Sequence, residues 1–276
     1  MRKSMFLLLF LSLSFSISFS QDAVPLKATV ITMDDCSACS TEATEKLLEN
    51  IFSGIAFEKL DYKEDKAQSL IDKLKPLSLP LFVVASSDIE DQEDLSRVKH
   101  FFTKKDSFYV LNTELSGIFY FLQRPYVPKK IDLFLSLYYS DAETVIENIK
   151  RMADEKGLTF EMHFIFHPDN KPEIEEYLRM VSVRKLYPDK FWDYVFKRLK
   201  DIRSSFWNIA MAEAGIDMES IVELSLSQEA RTLLEQNTAL AKELDIRMGP
   251  VILVDNRRIF SVSTGGNSLD DLLSED

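Results

Sequence analysis

Both cysteines of the chain, Cys36 and Cys39, stand two residues apart, between the β-branched run "KATVITM" and the helix formers of "CSTEATEKLLENIF". The first run reads as a buried strand. The second reads as a helix with Ala43, Leu47, Leu48 and Ile51 on one side. The pair therefore falls at a strand-to-helix corner. Four readings are open there: a metal half-site, a structural staple, a redox pair or a coincidence.

Two cysteines are too few for a disulfide-built scaffold, and the loop they close is too short to stabilise much. Tetrahedral zinc needs four ligands. The three histidines, His100, His163 and His167, lie far off in sequence. An alternating strand through "FEMHFIFHPDN" would point His163 and His167 the same way, and they read as a half-buried and an exposed imidazole near a strand end. No metal is expected. The redox reading has local support. At a helix start, free backbone N–H groups and the helix dipole favour a thiolate and lower the pKa of the first cysteine. Asp34 and Asp35 act against this by disfavouring a further negative charge.

Residues 1–20 differ from the rest: Arg2 and Lys3, then "MFLLLFLSLSFSISFS", then the charged Gln21-Asp22. A basic start, an apolar middle and small residues (Ser18, Ser20) before a cut predict a secretory signal peptide. The run is shorter than the roughly 20 apolar residues of a spanning helix. Export and cleavage near Ser20 are expected to leave a soluble mature chain, periplasmic or secreted, without a membrane span. Its charge would be −14, because 33 basic residues less Arg2 and Lys3 face 45 acidic ones. That acidity excludes a nucleic-acid binder, which needs a basic face, and disfavours anionic lipid.

Beyond the pair, "IAFEKLDY" (Ile55–Tyr62) reads as a strand, "EDKAQSLIDKLKP" as a helix ending at Pro76, and "LSLPLFVVA" as a strand entered through Leu79-Pro80. Strand, CxxC, helix, strand, helix and a proline-headed strand in this order resemble the thioredoxin fold. The resemblance implies that the proline is cis and packs against the disulfide, and that the residue before it pairs by its backbone with an extended substrate. It makes Cys36 the attacking thiol, Cys39 the resolving thiol and Leu79-Pro80 the substrate-side loop. The dipeptide Ser37-Ala38 departs from well-known members, and Val30 stands where thioredoxin carries a buried acid. With Asp34 and Asp35 adjacent, a less oxidising thiol than in the strongest oxidants of this type is expected.

The charged stretch "SSDIEDQEDLSRVKHFFTKKD" reads as a solvated loop or short helix, and "SFYVLN" and "GIFYFL" as strands, joined in a hairpin through "TELSG". "QRPYVPKK" makes the best boundary. A similar series then restarts: the strand "IDLFLSLYY", the helix "SDAETVIENIKRMADEKG" stopping at Gly157, and the strand "LTFEMHFIF". Ser140-Asp141-Ala142-Glu143 stands where the first series has its cysteines, and Ser140 and Glu143 read as a capping box. Residues 172–244 read as mostly helical. The broad apolar face of "PDKFWDYVFKRLKDI", with Phe191, Trp192, Tyr194, Val195, Phe196 and Leu199, reads as core. "ALAKELDIRMGPVILVDNRRI" ends the series with Gly249-Pro250, a strand, a turn at Asp255-Asn256 and a return strand. This resembles the end of the DsbA family, in which a helical insertion interrupts a thioredoxin fold; Pro250 would be cis.

The expected fold class is α/β, with two thioredoxin-like domains: 21–128 with the CxxC, and 129–276 of DsbA type, with a helical insertion at about 172–244 and no CxxC. The expected function is exported thiol–disulfide exchange with protein thiols and disulfides through Cys36 and Cys39. Leu79, Pro80, Gly249 and Pro250 would be on the substrate side. An unidentified redox partner, and no cofactor, would complete the cycle. The alternative is a redox-inert binding or chaperone-like protein with a structural Cys36–Cys39 bridge.

Overall fold

The structure, a computed structural model, describes residues 26–34, 36, 39–90, 92 and 94–262. The expected leader, Asp35, Ser37 and Ala38 lie outside the described residues. Among those described, no helix is long and apolar enough to cross a membrane.

The N-terminal part runs β1 (Lys27–Thr32), α1 (Glu42–Ile51), β2 (Ala56–Asp61), α2 (Asp65–Leu74), β3 (Ser78–Leu79) and β4 (Leu81–Ala85). Then come α3 (Ser86–Ile89), α4 (Leu95–Val98), β5 (Phe102–Lys105), β6 (Phe108–Leu111), α5 (Thr113–Ser116) and β7 (Tyr120–Phe121). The C-terminal part runs β8 (Lys130–Leu135), α6 (Ala142–Lys156) and β9 (Thr159–Phe164). Five helices follow: α7 (Lys171–Leu186), α8 (Phe191–Leu199), α9 (Trp207–Glu213), α10 (Met218–Ser225) and α11 (Gln228–Glu243). The chain ends its described part with β10 (Val251–Val254) and β11 (Arg258–Ser261).

Two sheets result, in the orders β2-β1-β4-β6-β5 and β3-β7-β11-β10-β8-β9. Their cores repeat one another. β1 pairs parallel with β2 and antiparallel with β4, and β8 pairs parallel with β9 and antiparallel with β10. A parallel pair needs a crossover connection, which α1 and α6 supply. Both Leu79-Pro80 and Gly249-Pro250 are cis, as the resemblance implied, and each leads directly into the antiparallel partner strand. The fold is thus mixed α/β, thioredoxin-like, with helices α7–α11 inserted between β9 and β10.

Each sheet is packed on both faces, which explains the near-continuous apolar runs of β1, β4 and β8. In β4, Phe82 and Val84 join the cluster of Ala28, Val30 and Leu48, while Leu81 and Val83 face Leu74 and Leu79. In β8, Ile131, Leu133 and Leu135 meet Val145, Ile146 and Ile149 of α6 and Tyr177, Tyr194 and Val195 of α7 and α8. Each such buried aliphatic side chain is worth about 1.5–3 kcal/mol relative to exposure. Gly157 closes α6 in the left-handed region at φ 64°, its N–H donating to Ala153 and Asp154 carbonyls; this is the residue type that stops a helix without a Cβ penalty.

Four local expectations need correcting. The buried side of α1 carries Thr44 and Leu48, while Ala43 and Leu47 are exposed. Ser140 and Glu143 form no capping box: α6 has Asp141 at its N-cap, without a side-chain cap. "TELS" is the helical turn α5, not a hairpin tip. β6 pairs with β4 and β5, whereas β7 leaves for the other sheet, pairing with β3 and with β11. The segment 123–130 is strapped along the β10–β11 turn: Arg124 donates to the Asn256 side chain, Asn256 Nδ2 to the Pro125 carbonyl, and Val127 N–H to the Asp255 carbonyl.

Candidate functional site

β1 delivers the chain to Cys36, and the two cysteines are joined by a disulfide with their Cα atoms 5.3 Å apart, inside the usual span for such a bond. Cys39 N–H donates to the Cys36 carbonyl at 3.1 Å, closing a turn. Regular helix begins only at Glu42, so the pair sits in the turn before α1, not on its first turn. The dipole's influence fades within one turn of the helix end, and Glu42 and Glu45 add negative charge in that first turn. The pair therefore gains less from the helix dipole than a place on the first turn would give it.

Both sulfur-bearing residues are buried, Cys36 at 8% and Cys39 at 7% exposure. They belong to the apolar cluster of the C-terminal part; every other buried member of that cluster lies between Ile131 and Phe260. Met33 and Phe119 pack against the same cluster. The cysteines thus rest on the seam between the two parts.

The corner is repeated without its chemistry. Cys36 and Cys39 come four and seven residues after β1 ends at Thr32; Tyr139 and Ala142 come four and seven after β8 ends at Leu135. Ala142 N–H donates to the Tyr139 carbonyl at 3.1 Å, matching the cysteine turn. Tyr139 and Ala142 therefore hold the pair's positions, one residue earlier than the sequence suggested, and neither side chain exchanges a disulfide.

The two cis-proline loops differ. Leu79 is buried, and its carbonyl accepts from Phe119 N–H at 2.7 Å, so the backbone ahead of Pro80 is engaged by the chain itself. Gly249 is exposed beside Met248, which is 84% exposed, and lines a cleft of about 920 Å³. Tyr138, Tyr139, Phe164, Phe166 and Ile246 supply its apolar walls, Lys242, Asp245 and Arg247 its charged lining, and His167 an imidazole. A Cβ on Gly249 would stand 2.4 Å from the Phe134 carbonyl oxygen, so the close approach of the loop to β8 requires glycine.

Polar groups that sequence reasoning missed support this cleft. Glu173, which lines it and is buried, accepts from the Ser136 hydroxyl at 2.5 Å, the Tyr177 hydroxyl at 2.6 Å and Asn170 Nδ2 at 2.8 Å. The Tyr177 hydroxyl in turn accepts from Leu137 N–H at 2.9 Å. Burial and the Glu173 charge push the Tyr177 phenol well above its ordinary pKa. Behind it, the fully buried Glu176 accepts from Arg179 and the Tyr194 hydroxyl, with Arg198 Nε 3.2 Å away. Burial first, and then Glu176, raise Tyr194 as well. A signal was present: Glu173, Glu176, Tyr177, Met180 and Val181 follow i, i+3, i+4, i+7, i+8, so two acids stand on the apolar stripe of α7.

His163 and His167 do not converge. His163 Nε2 is 2.7 Å from Asp132 Oδ1 and its Nδ1 2.8 Å from the Asn237 carbonyl, while His167 is exposed. Asp132, Glu161 and His163 do stand close enough to share an ion. Lys130 already supplies the positive charge, with its ammonium 3.0 Å from Asp132 and 3.4 Å from Glu161. Burial pulls the Lys130 pKa down, but Asp132 and Glu161 together outweigh it and the net direction is up.

A family model described as a DSBA-like thioredoxin domain matches residues 129–275. The chain belongs to this DsbA-like family. No curated protein matches it. Among solved structures, it is similar to the thiol–disulfide exchange protein alpha-DsbA2 from Wolbachia pipientis, with 15% identity over 56% of this chain and 86% of that one, at a TM-score of 0.45. It is also similar to a thioredoxin-like oxidoreductase from Silicibacter pomeroyi (12% identity, 55% and 88% coverage, TM-score 0.44) and to oxidised BdbD from Bacillus subtilis (15%, 54% and 89%, 0.43). The matched DsbA-like segment starts after the cysteine pair and contains no cysteine. Any dithiol chemistry of this family member therefore belongs to residues outside the segment that defines the family.

Proposed function

We propose that the chain exchanges disulfides with other proteins through Cys36 and Cys39, and that its DsbA-like unit holds the partner. In this reading residues 21–128 form the redox unit and 129–276 the binding unit of an exported protein, working in a periplasmic or extracellular oxidising compartment. One observation carries it above all: the cysteines are bonded at the strand-to-helix corner of a sheet that repeats the strand order of the DsbA-like unit.

The chemistry needs no cofactor. A partner thiolate attacks Cys36 Sγ, the Cys36–Cys39 bond breaks, and Cys39 Sγ leaves as a thiolate that takes up a proton. The resulting mixed disulfide is resolved when the partner's second thiolate attacks its own sulfur in that bond, leaving Cys36 reduced and the partner oxidised. The reverse sequence reduces a partner disulfide. A separate redox partner resets the pair. The exposed backbone of Gly249, beside an apolar cleft with charged lining, suits an extended peptide, with main-chain pairing for affinity and the cleft for a side chain.

The test is trapping. With Cys39→Ser, the full chain should accumulate a mixed disulfide at Cys36 with a disulfide-bearing peptide, detected by mass spectrometry; Cys36→Ser should give none. No adduct from reduced Cys39→Ser would sink the reading. The burial of both cysteines favours a second reading, a non-enzymatic binding protein with an inert bridge. In that case peptide would bind at the Gly249 cleft without any adduct.

A further inference from the structure

We propose that the segment around β7, Phe119–Leu122, is a latch that keeps the Cys36–Cys39 bond closed to protein partners, so that exchange requires this segment to detach. The proposal rests on the disulfide-exchange reading above and adds regulation to that site.

The segment lies where an extended substrate would pair. Phe119 N–H donates to the Leu79 carbonyl at 2.7 Å and Leu122 N–H to the Leu77 carbonyl at 3.0 Å, in register with β3 immediately before cis-Pro80. Pro80 opens β4, which pairs with β1, the strand that leads to Cys36. The opposite edge of the same segment is held by the DsbA-like unit. Phe121 N–H donates to the Arg257 carbonyl at 2.8 Å, and Ile259 N–H to the Phe119 carbonyl at 2.9 Å. The Arg257 guanidinium donates to the Tyr120 hydroxyl at 2.9 Å and to the Arg124 carbonyl at 2.6 Å.

Its side chains divide among three cores. Phe119 packs on the cluster that contains both cysteines, Phe121 belongs to that of Phe134 and Leu253, and Tyr120 and Leu122 pack against that of Leu79 and Leu81. A thiolate must reach Cys36 Sγ for the Cys36–Cys39 bond to break. At 8% exposure, within a cluster against which Phe119 packs and whose other buried members belong to the C-terminal unit, Cys36 offers an attacking thiolate little surface. β7 is only two residues long and pairs through two residues with β3 and one with β11, so few ladder bonds must break for it to detach. It can therefore open while the sheets stay folded.

The test is kinetic, on the oxidised full chain with dithiothreitol as the attacking thiol. Reduction of the wild-type bond should be slow and should accelerate with urea well below the unfolding transition, which requires no variant. Phe119→Ala and Arg257→Ala should each raise the rate by at least about tenfold, because each removes part of what holds the segment. Their equilibrium potential against glutathione should match that of the wild type. Hydrogen exchange at residues 119–122 should quicken in parallel. Wild-type reduction as fast as that of an exposed peptide disulfide would overturn the latch, as would a wild-type rate indifferent to sub-denaturing urea. If the exchange reading itself fails, the loss appears in the potential and in trapping, not in these rate differences.

Discussion

Alanine at position 249 tests the packing that builds the open cis-proline loop. An added Cβ would meet the Phe134 carbonyl oxygen at 2.4 Å, and both the Phe134 carbonyl carbon and Ile165 Cδ1 at 3.3 Å. Comfortable C···O contact begins near 3.3 Å, so the loop and β8 must part by about 0.9 Å. The place is the head of β10, where Val251 lies opposite Phe134. Phe134 and Leu253 are fully buried there, so the strain falls on well-packed backbone rather than on a mobile side chain. Overpacking of this kind costs about 1–3 kcal/mol. For a unit of this size each kcal/mol lowers Tm by about 2–4 °C, so Gly249→Ala should melt roughly 2–12 °C lower in a circular-dichroism scan of the full chain. Met248→Ala, one residue away but 84% exposed, should stay within about 0.5 kcal/mol of wild type. A Gly249→Ala melt indistinguishable from wild type would refute the close approach and with it the reason for glycine at this loop.

Other outcomes follow from the same structure. Tyr177→Phe leaves the Leu137 N–H without its acceptor and removes one of the three donors to Glu173; denaturant titration should show a loss of about 1–3 kcal/mol, and an unchanged midpoint would count against the network. Tyr138, Tyr177 and Tyr194 all have raised pKa values, as has Lys130. Such groups stay protonated in the folded chain after the unfolded chain has begun to lose its protons. Their contribution is therefore complete below about pH 10 and declines as pH rises toward the folded values. Absorbance at 295 nm should show three of the nine tyrosines ionising late and with unfolding; nine tyrosines titrating together near pH 10, with the fold intact, would contradict this. Reducing Cys36–Cys39, which closes a loop of about four residues, should cost no more than about 2 kcal/mol of stability. A larger loss would mark the bond as a structural staple.

Much of this architecture is legible in the residues, for local reasons. The Asp255-Asn256 turn demands positive φ, and the two residues adopt 51° and 64°; Asn and Asp tolerate that region best after glycine. Proline heads both strands at the cis loops, the isomer that the family resemblance implied, and helical periodicity bounds the insertion to within a residue or two of 171–243. What was not legible depends on partners distant in sequence. "GIFYFL" carries a strand signal, but no periodicity could reveal that its two paired residues leave β6 and bridge β3 to β11. Ser140 and Glu143 match a capping signature, yet buried Ala142, anchored in the core, begins the helix and shifts the corner by one residue. Burial of the cysteines was equally hidden, because the other buried members of their cluster lie between Ile131 and Phe260, far along the chain.

The central claim is that Cys36–Cys39 cycles, and the reduction potential of the pair in the full chain, equilibrated against glutathione and thioredoxin couples, tests it most directly. Exchange proteins lie at roughly −120 to −270 mV, and structural bridges below about −300 mV. The account predicts a value inside the first range, tempered by Asp34, Glu42 and Glu45 away from its most oxidising end. A potential below about −300 mV would contradict it and leave an inert bridge beside a peptide-binding cleft.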